Sequence, residues 1–71
     1  MRKYAIVIEK TESGYSAYVP DLPGCVSTGR TKSEVEQLMY EGIQFHIEGM
    51  LIEGYEIPEP TTEVENILVP A

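Results

Sequence analysis

The N-terminal part of the chain alternates apolar and polar residues in the way that β-strands do. In residues 3–9 ("KYAIVIE"), β-branched and aromatic side chains predominate, and Tyr4, Ile6 and Ile8 share one face of the predicted strand. The polar segment "KTESG" ends in Gly14, a residue that tolerates a positive φ, and it predicts a hairpin loop. A second strand, "YSAYVP", is expected to return antiparallel to the first.

The segment "PDLPG" interrupts this strand pattern and predicts a corner. Pro20 has no amide hydrogen for a sheet, and Pro23-Gly24 is a turn dipeptide, so the chain is expected to leave the sheet. It re-enters with "CVSTG" as a short third strand. Asp21 is expected to accept hydrogen bonds from amides two residues further on, and Cys25 to be a small buried residue. We therefore interpret Pro20, Asp21, Pro23, Gly24 and Cys25 as a structural corner.

Helical periodicity begins after the third strand. Thr31 and Glu34 have the spacing of a capping box, and Gly54 is placed to end a helix in the left-handed region. At about 100° per residue, the helix between them has an apolar face and a polar face. The apolar face comprises Val35, Leu38, Met39, Gly42, Ile43, His46 and Met50. The polar face comprises Glu34, Gln37, Glu41, Gln44 and Glu48.

Further apolar residues on the helix and at the C-terminus exceed what a small sheet can cover. Phe45, Ile47 and Leu51 widen the apolar stripe, which suggests a second surface to be covered. Pro58 and Pro60 predict an extended connector. The final "VENILVPA" is a candidate fourth strand, paired within the chain or with another copy. The predicted fold is α+β: a two-layer β-β-β-α-β domain over residues 1–71, in which one long amphipathic helix packs on an antiparallel sheet.

The size of the chain predicts a thin core. A domain of 71 residues with 42% hydrophobic content buries a smaller fraction of its surface than a larger domain does. The single cysteine excludes an intrachain disulfide, and one Cys with one His cannot supply the ligands of a structural zinc site. We therefore expect self-association, as a dimer or tetramer, to supply further stability.

The charge balance narrows the class of partner. Twelve acidic residues against five basic ones give a net charge of -7, the wrong sign for neutralising phosphates, so direct nucleic-acid binding is not expected. This charge suits a basic partner, although it also serves solubility. The chain shows no apolar run of the length of a membrane span or signal peptide, and a free thiol fits a reducing compartment. These features predict a cytoplasmic protein with no membrane partner.

Few residues are candidates for catalysis. Cys25 and His46 are the only thiol and the only imidazole, so a Cys-His nucleophilic pair is one hypothesis. No third orienting group accompanies them in the sequence, and packing is the preferred explanation of both residues. The six glycines form no phosphate-binding loop, and the glutamates are scattered rather than clustered. We expect no enzyme activity, no metal and no cofactor.

The order of these elements resembles the N-terminal domain of HicB-type antitoxins and their small stand-alone relatives. The resemblance spans nearly the whole chain and depends on the order and spacing of several short motifs rather than on any one of them. The positions that carry it are Gly14, Tyr15, Ala17, the corner at residues 20–25, Gly29, Thr31, His46, Gly49, Gly54, Ile57, Pro58 and Pro60.

The resemblance implies a partial ribonuclease H-like fold without the metal-binding carboxylates of that enzyme. It also implies a function, since proteins of this family bind a small basic HicA-type toxin, an mRNA endoribonuclease, and block its catalytic site. Charge complementarity with such a toxin makes Glu34, Glu41 and Glu48 the candidate partner-binding residues. Many HicB antitoxins carry a C-terminal DNA-binding segment, whereas this sequence ends at Ala71, so we expect no separate DNA-binding domain and no operator binding by this chain.

Two other interpretations of the sequence stay open. One is a solitary homo-oligomeric domain with a regulatory or scaffolding role and no toxin partner. The other is a hydrolase that uses Cys25 and His46.

Overall fold

The protein forms a three-stranded antiparallel sheet followed by one long helix. A computed structural model describes all of residues 1–71. The elements are β1 (Val7–Lys10), β2 (Tyr15–Tyr18), β3 (Val26–Gly29) and α1 (Lys32–Glu53). The strands lie in the order β1-β2-β3, and α1 packs mainly against β3 and β2. This arrangement confirms the predicted α+β class with a single helix.

The sheet is shorter than the alternating pattern predicted. Residues 3–6 make no ladder, so β1 begins at Val7 rather than at Lys3. Tyr4 and Ile6 nevertheless pack against the core from outside the sheet. The alternation of apolar residues thus identified side chains that pack inward, but it did not identify the start of the strand. A residue of β1 forms backbone pairs only where β2 lies beside it. Because β2 ends at Tyr18, which pairs with Val7, the residues before Val7 have no partner.

The hairpin between β1 and β2 depends on Gly14 for a different reason than expected. Lys10 pairs with Tyr15, and the amide of Thr11 donates to the carbonyl of Gly14 over 2.8 Å. Gly14 does not have a positive φ. A Cβ at this position would instead overlap the carbonyl oxygen of Gly29, at the end of β3. Glycine is required here because two backbone segments approach too closely for any side chain.

Both ends of α1 are capped by local interactions. The Thr31 hydroxyl accepts from the amide of Glu34 over 3.1 Å, and the Glu34 carboxylate accepts from the amide of Arg30 over 3.1 Å. Gly54 has φ 78°, and the amides of Gly54 and Tyr55 donate to carbonyls of the last helical turn. This pattern is the Schellman motif. Caps of this kind use neighbouring residues only, which is why the sequence predicted both helix ends.

The core is small and lies between the corner, β2 and the first half of the helix. Its six buried hydrophobic residues are Ala17, Val19, Leu22, Cys25, Val35 and Met39. Of the predicted apolar helix face, only Val35 and Met39 are fully buried, while Ile43, His46 and Met50 are half-buried. Leu38 is exposed and lies at the margin of the face.

The predicted fourth strand does not form within the chain. Residues 64–71 have no strand structure, and Ile67, Leu68 and Val69 are exposed. An apolar run predicts that a segment is buried but does not identify the surface that buries it. Within one chain, no strand pairs with this segment.

Candidate functional site

Three glutamates form a line along the outer side of α1. Glu34, Glu41 and Glu48 are seven residues apart, so each lies almost directly above the previous one, about 10 Å further along the axis. All three side chains are exposed. We call these three residues the acidic helix face. Helical periodicity predicted this alignment correctly; the partner-binding role of these residues is a proposal.

The three carboxylates differ in the hydrogen bonds that they accept from other residues of the chain. Glu34 accepts the Arg30 amide and helps to cap the helix. Glu41 accepts from the side-chain amide of Gln37 over 2.8 Å, one turn earlier. Glu48 takes part in none of the side-chain hydrogen bonds or ion pairs of the structure. Glu41 and Glu48 can therefore be changed without removing a contact that the fold requires, whereas Glu34 cannot.

The corner at residues 20–25 consists of two successive turns around a buried leucine. The amide of Leu22 donates to the carbonyl of Val19, and the amide of Cys25 donates to the carbonyl of Leu22, each over 3.1 Å. Gly24 has φ 85°, which with Pro23 before it matches a type II turn. Leu22 itself is completely buried. The corner thus supplies the core with a side chain as well as reversing the chain.

Asp21 binds residues far away in the sequence rather than its neighbours. Its carboxylate accepts from the amides of Thr61 and Thr62 over 3.1 and 3.0 Å. It also accepts from the hydroxyls of the same two threonines, over 3.2 and 2.8 Å. These bonds, led by those from Thr62, lower the pKa of Asp21 from its ordinary value. We call this arrangement the Asp21 clasp; it replaces the expected local turn contact.

The Asp21 clasp holds one end of a connector that also binds the N-terminus. This connector, residues 57–62, is called the strap below. The Tyr4 hydroxyl donates to the carbonyl of Pro58 over 2.6 Å. Arg2 donates to the carbonyl of Ile57 over 3.1 Å and lies 3.7 Å from the Glu59 carboxylate. No pattern in the sequence identified Arg2, Tyr4, Thr61 or Thr62 as residues that hold the strap in place.

The structure gives no support to nucleophilic catalysis by Cys25 and His46. Cys25 is buried in the core, and burial raises the pKa of its thiol, which favours the protonated, unreactive form. His46 lies half-buried on α1 and forms no side-chain hydrogen bond with Cys25. No group of three metal-ligating side chains is present. No helix in the structure has the length and apolar character needed to cross a membrane.

Two of the four depressions on the surface contrast in character. One, of about 450 Å³, is polar and lies where the hairpin loop meets the start of α1, next to Arg30 and Glu34. The other, of about 630 Å³, is an apolar groove along α1 beside the N-terminal segment. Neither depression contains Cys25 or a cluster of acids.

Comparison with known proteins points to one family. The family model described as "HicB_like antitoxin of bacterial toxin-antitoxin system" matches residues 4–69. A 14.9 kDa protein from the rep-hol intergenic region of Haemophilus phage HP1 is 52% identical over 56 residues, which are 79% of this chain and 42% of that protein. A UPF0150 protein of Thermoplasma acidophilum is 39% identical over 62 residues, 86% of this chain and 90% of the other.

Two solved structures share the fold. A chain of the "HicA3 and HicB3 toxin-antitoxin complex" superposes with a TM-score of 0.72 at 35% identity, covering 84% of this chain and 70% of that one. The "Antitoxin HicB3 crystal structure" gives a TM-score of 0.70 at 35% identity, covering 84% of this chain but 44% of that one. The chain thus spans less than half the length of the phage relative and of the HicB3 antitoxin chain.

Proposed function

The chain belongs to the HicB-like antitoxin family of bacterial toxin-antitoxin systems, and from that premise we propose that it binds a HicA-type toxin and occludes the toxin's ribonuclease site. The observation that carries the proposal is the likeness to a chain of the HicA3–HicB3 complex, at a TM-score of 0.72 over 84% of this chain. A toxin of this type is a small basic mRNA endoribonuclease, as the family resemblance implies.

Electrostatics support this choice of partner. The chain carries a net charge of -7, and α1 contains five glutamates but a single lysine. A basic toxin approaching this surface is attracted and oriented by complementary charge, which raises the association rate and disfavours wrong partners. The acidic helix face is the part of this surface where the carboxylates align.

The proposed action is steric and requires no catalysis by this chain. The Cys25 thiol is buried and held protonated, and no carboxylate cluster is available for a metal. A bound domain of this size is sufficient to exclude an mRNA from a small enzyme's active site. The antitoxin therefore acts for as long as it stays bound.

The test is a charge reversal that spares the helix cap. The double variant Glu41→Lys/Glu48→Lys leaves Glu34 in place, because Glu34 accepts the Arg30 amide. We expect this variant to bind the HicA-type toxin encoded beside the gene about tenfold or more weakly than the unmodified chain does. Binding is measured by calorimetry, and protection by growth of cells that co-express the toxin.

A matched control carries the same charge change elsewhere. Glu12→Lys/Glu56→Lys also reverses two exposed glutamates, but neither residue lies on α1. This control is expected to retain most of the affinity. Equal affinity in both double variants would exclude the acidic helix face as the contact surface. Absence of any complex between the unmodified chain and the toxin would overturn the antitoxin proposal and favour a solitary regulatory or scaffolding domain.

A further inference from the structure

The apolar groove along α1 exposes hydrophobic side chains of the helix to solvent. Its floor is formed by Tyr40, Ile43, Ile47 and Leu51 of α1, with Ile57 of the strap beside them. Tyr40 and Leu51 are 60% and 61% exposed, so aromatic and aliphatic surface faces water here. The groove measures about 630 Å³, large enough for several side chains.

The edge of the groove is basic in an otherwise acidic protein. Arg2 and Lys3 line it, and they are two of only five basic residues in the chain. Arg2 is paired with Glu59 of the strap, whereas Lys3 forms no ion pair. An occupant of complementary chemistry is therefore apolar and flanked by carboxylates.

The C-terminal segment of the same chain has this chemistry. We call residues 63–71 the tail. Ile67, Leu68 and Val69 are 82%, 101% and 65% exposed, and they follow Glu63 and Glu65. No strand pairs with the tail, and none of its apolar side chains packs against the core of its own chain.

The dimensions of the chain are larger than those of a compact domain of this length, as expected when a terminal segment such as the tail extends from it. The radius of gyration is 13.8 Å, whereas a compact chain of this length has about 11 Å. The longest extent is 48 Å, although α1 accounts for only about 33 Å. The tail also begins in a different depression, where Thr62 and Val64 lie beside Ala5, rather than in the groove.

We propose that the tail of one copy lies in the groove of a second copy, and that the exchange is mutual. The two halves of the contact, an apolar acidic segment and an apolar groove with a basic edge, are both present once per chain. A two-fold dimer satisfies both at the same time and doubles the buried area. The exposed apolar side chains of the tail are thereby buried by association, and the dimer gains the apolar contacts that one chain lacks.

The first experiment compares oligomeric states of the free chain, without toxin, by light scattering. The unmodified chain is expected to be a dimer. Leu51→Asp in the groove and Leu68→Asp in the tail are each expected to raise the dimer dissociation constant by about tenfold or more. Ile52→Asp is the control, because Ile52 is an exposed apolar residue of α1 outside the groove, 83% exposed. This control is expected to leave the dimer intact.

A second experiment identifies the pairing directly. A chain with Leu51→Cys and a chain of different mass with Leu68→Cys are mixed under mild oxidation. The expected product is a disulfide between the two chains, found by mass spectrometry. Native Cys25 is buried and does not compete.

Three outcomes would overturn the proposal: a monomeric unmodified chain, a dimer that survives both aspartate variants, or a Leu51→Cys/Leu68→Cys chain that forms its disulfide internally as a monomer. The last would show that a chain's own tail fills its groove. Since these measurements involve no toxin, their failure leaves the antitoxin proposal untouched, and the reverse also holds.

Discussion

At the scale of single residues, Asp21 is the side chain with the most hydrogen bonds. It accepts four, all from Thr61 and Thr62. Its position in a Pro-rich corner predicts a structural role, because aspartate is favoured in turns. Its partners lie 40 and 41 residues further on, beyond the reach of any local pattern. Local chemistry therefore identified the residue but not its contact.

The Asp21 clasp predicts a pH-dependent stability. Its hydrogen bonds lower the pKa of Asp21 in the folded chain, so the stabilisation is complete above the unfolded value, about 3.9, and is lost as the pH falls through the lower folded value. We expect Asp21→Ala to lower the thermal midpoint by several degrees at pH 7. The difference from the unmodified chain should shrink as the pH falls below about 4. Thermal unfolding by circular dichroism measures both.

The control for this prediction is Glu12→Ala, which removes an exposed carboxylate that accepts no side-chain hydrogen bond. It is expected to leave the midpoint unchanged at every pH. A difference between Asp21→Ala and the unmodified chain that stays constant down to low pH would contradict the role of the ionised carboxylate.

At the scale of elements, the tightest junction is the one between the hairpin loop and the end of β3. Gly14 meets the carbonyl of Gly29, and a Cβ added to Gly29 would lie 3.1 Å from the Glu34 carboxylate. Two glycines therefore allow the hairpin, β3 and the start of α1 to meet at one point. Any side chain at Gly14 must push β3 away from the hairpin.

Glycine substitutions test this junction. We expect Gly14→Ala to destabilise the chain by about 1–3 kcal/mol, because the new methyl group is overpacked against backbone. Gly49→Ala is the matched comparison: Gly49 is an exposed helical glycine with open space around it, so alanine should stabilise α1 by about 0.5–1 kcal/mol. Urea unfolding gives both values. Equal effects of the two substitutions would show that the junction is not tight.

The elements also differ in how well the sequence predicted them. The helix ends at Thr31 and Gly54 were predictable because caps are made by residues next to each other. The strand ends were not, since pairing depends on what lies alongside. The apolar patterns of residues 3–6 and 64–71 both predicted β-strands, yet neither segment has a partner strand in the single chain.

At the scale of the whole molecule, charge is distributed unevenly. Glutamates line the outer side of α1, while Arg2 and Lys3 lie together beside the apolar groove. Helical periodicity predicted the acidic helix face, because exposure on a helix follows from residue spacing. The width of the apolar stripe on α1 predicted an exposed apolar surface but not a groove. The other wall of the groove is formed by the N-terminus and the strap, which the helical pattern does not include.

The overall charge predicts a salt-dependent encounter with a basic toxin. Raising the ionic strength from about 0.01 to 0.15 M shortens the screening length from about 30 to 8 Å. We expect the association rate constant to fall steeply over this range and the dissociation rate constant to change little. Surface plasmon resonance measures both constants. An association rate that does not respond to salt would exclude electrostatic steering by this chain.

The Asp21 clasp also bears on the order of events in folding. It closes a loop of 40 residues that contains β3 and all of α1, whereas the hairpin and the helix caps join residues close in sequence. Contacts between distant residues form late, because the entropy of the intervening chain must be lost first. An interaction absent from the transition state slows unfolding and leaves the folding rate unchanged. The clasp therefore prolongs the lifetime of the folded chain without making that chain form any faster.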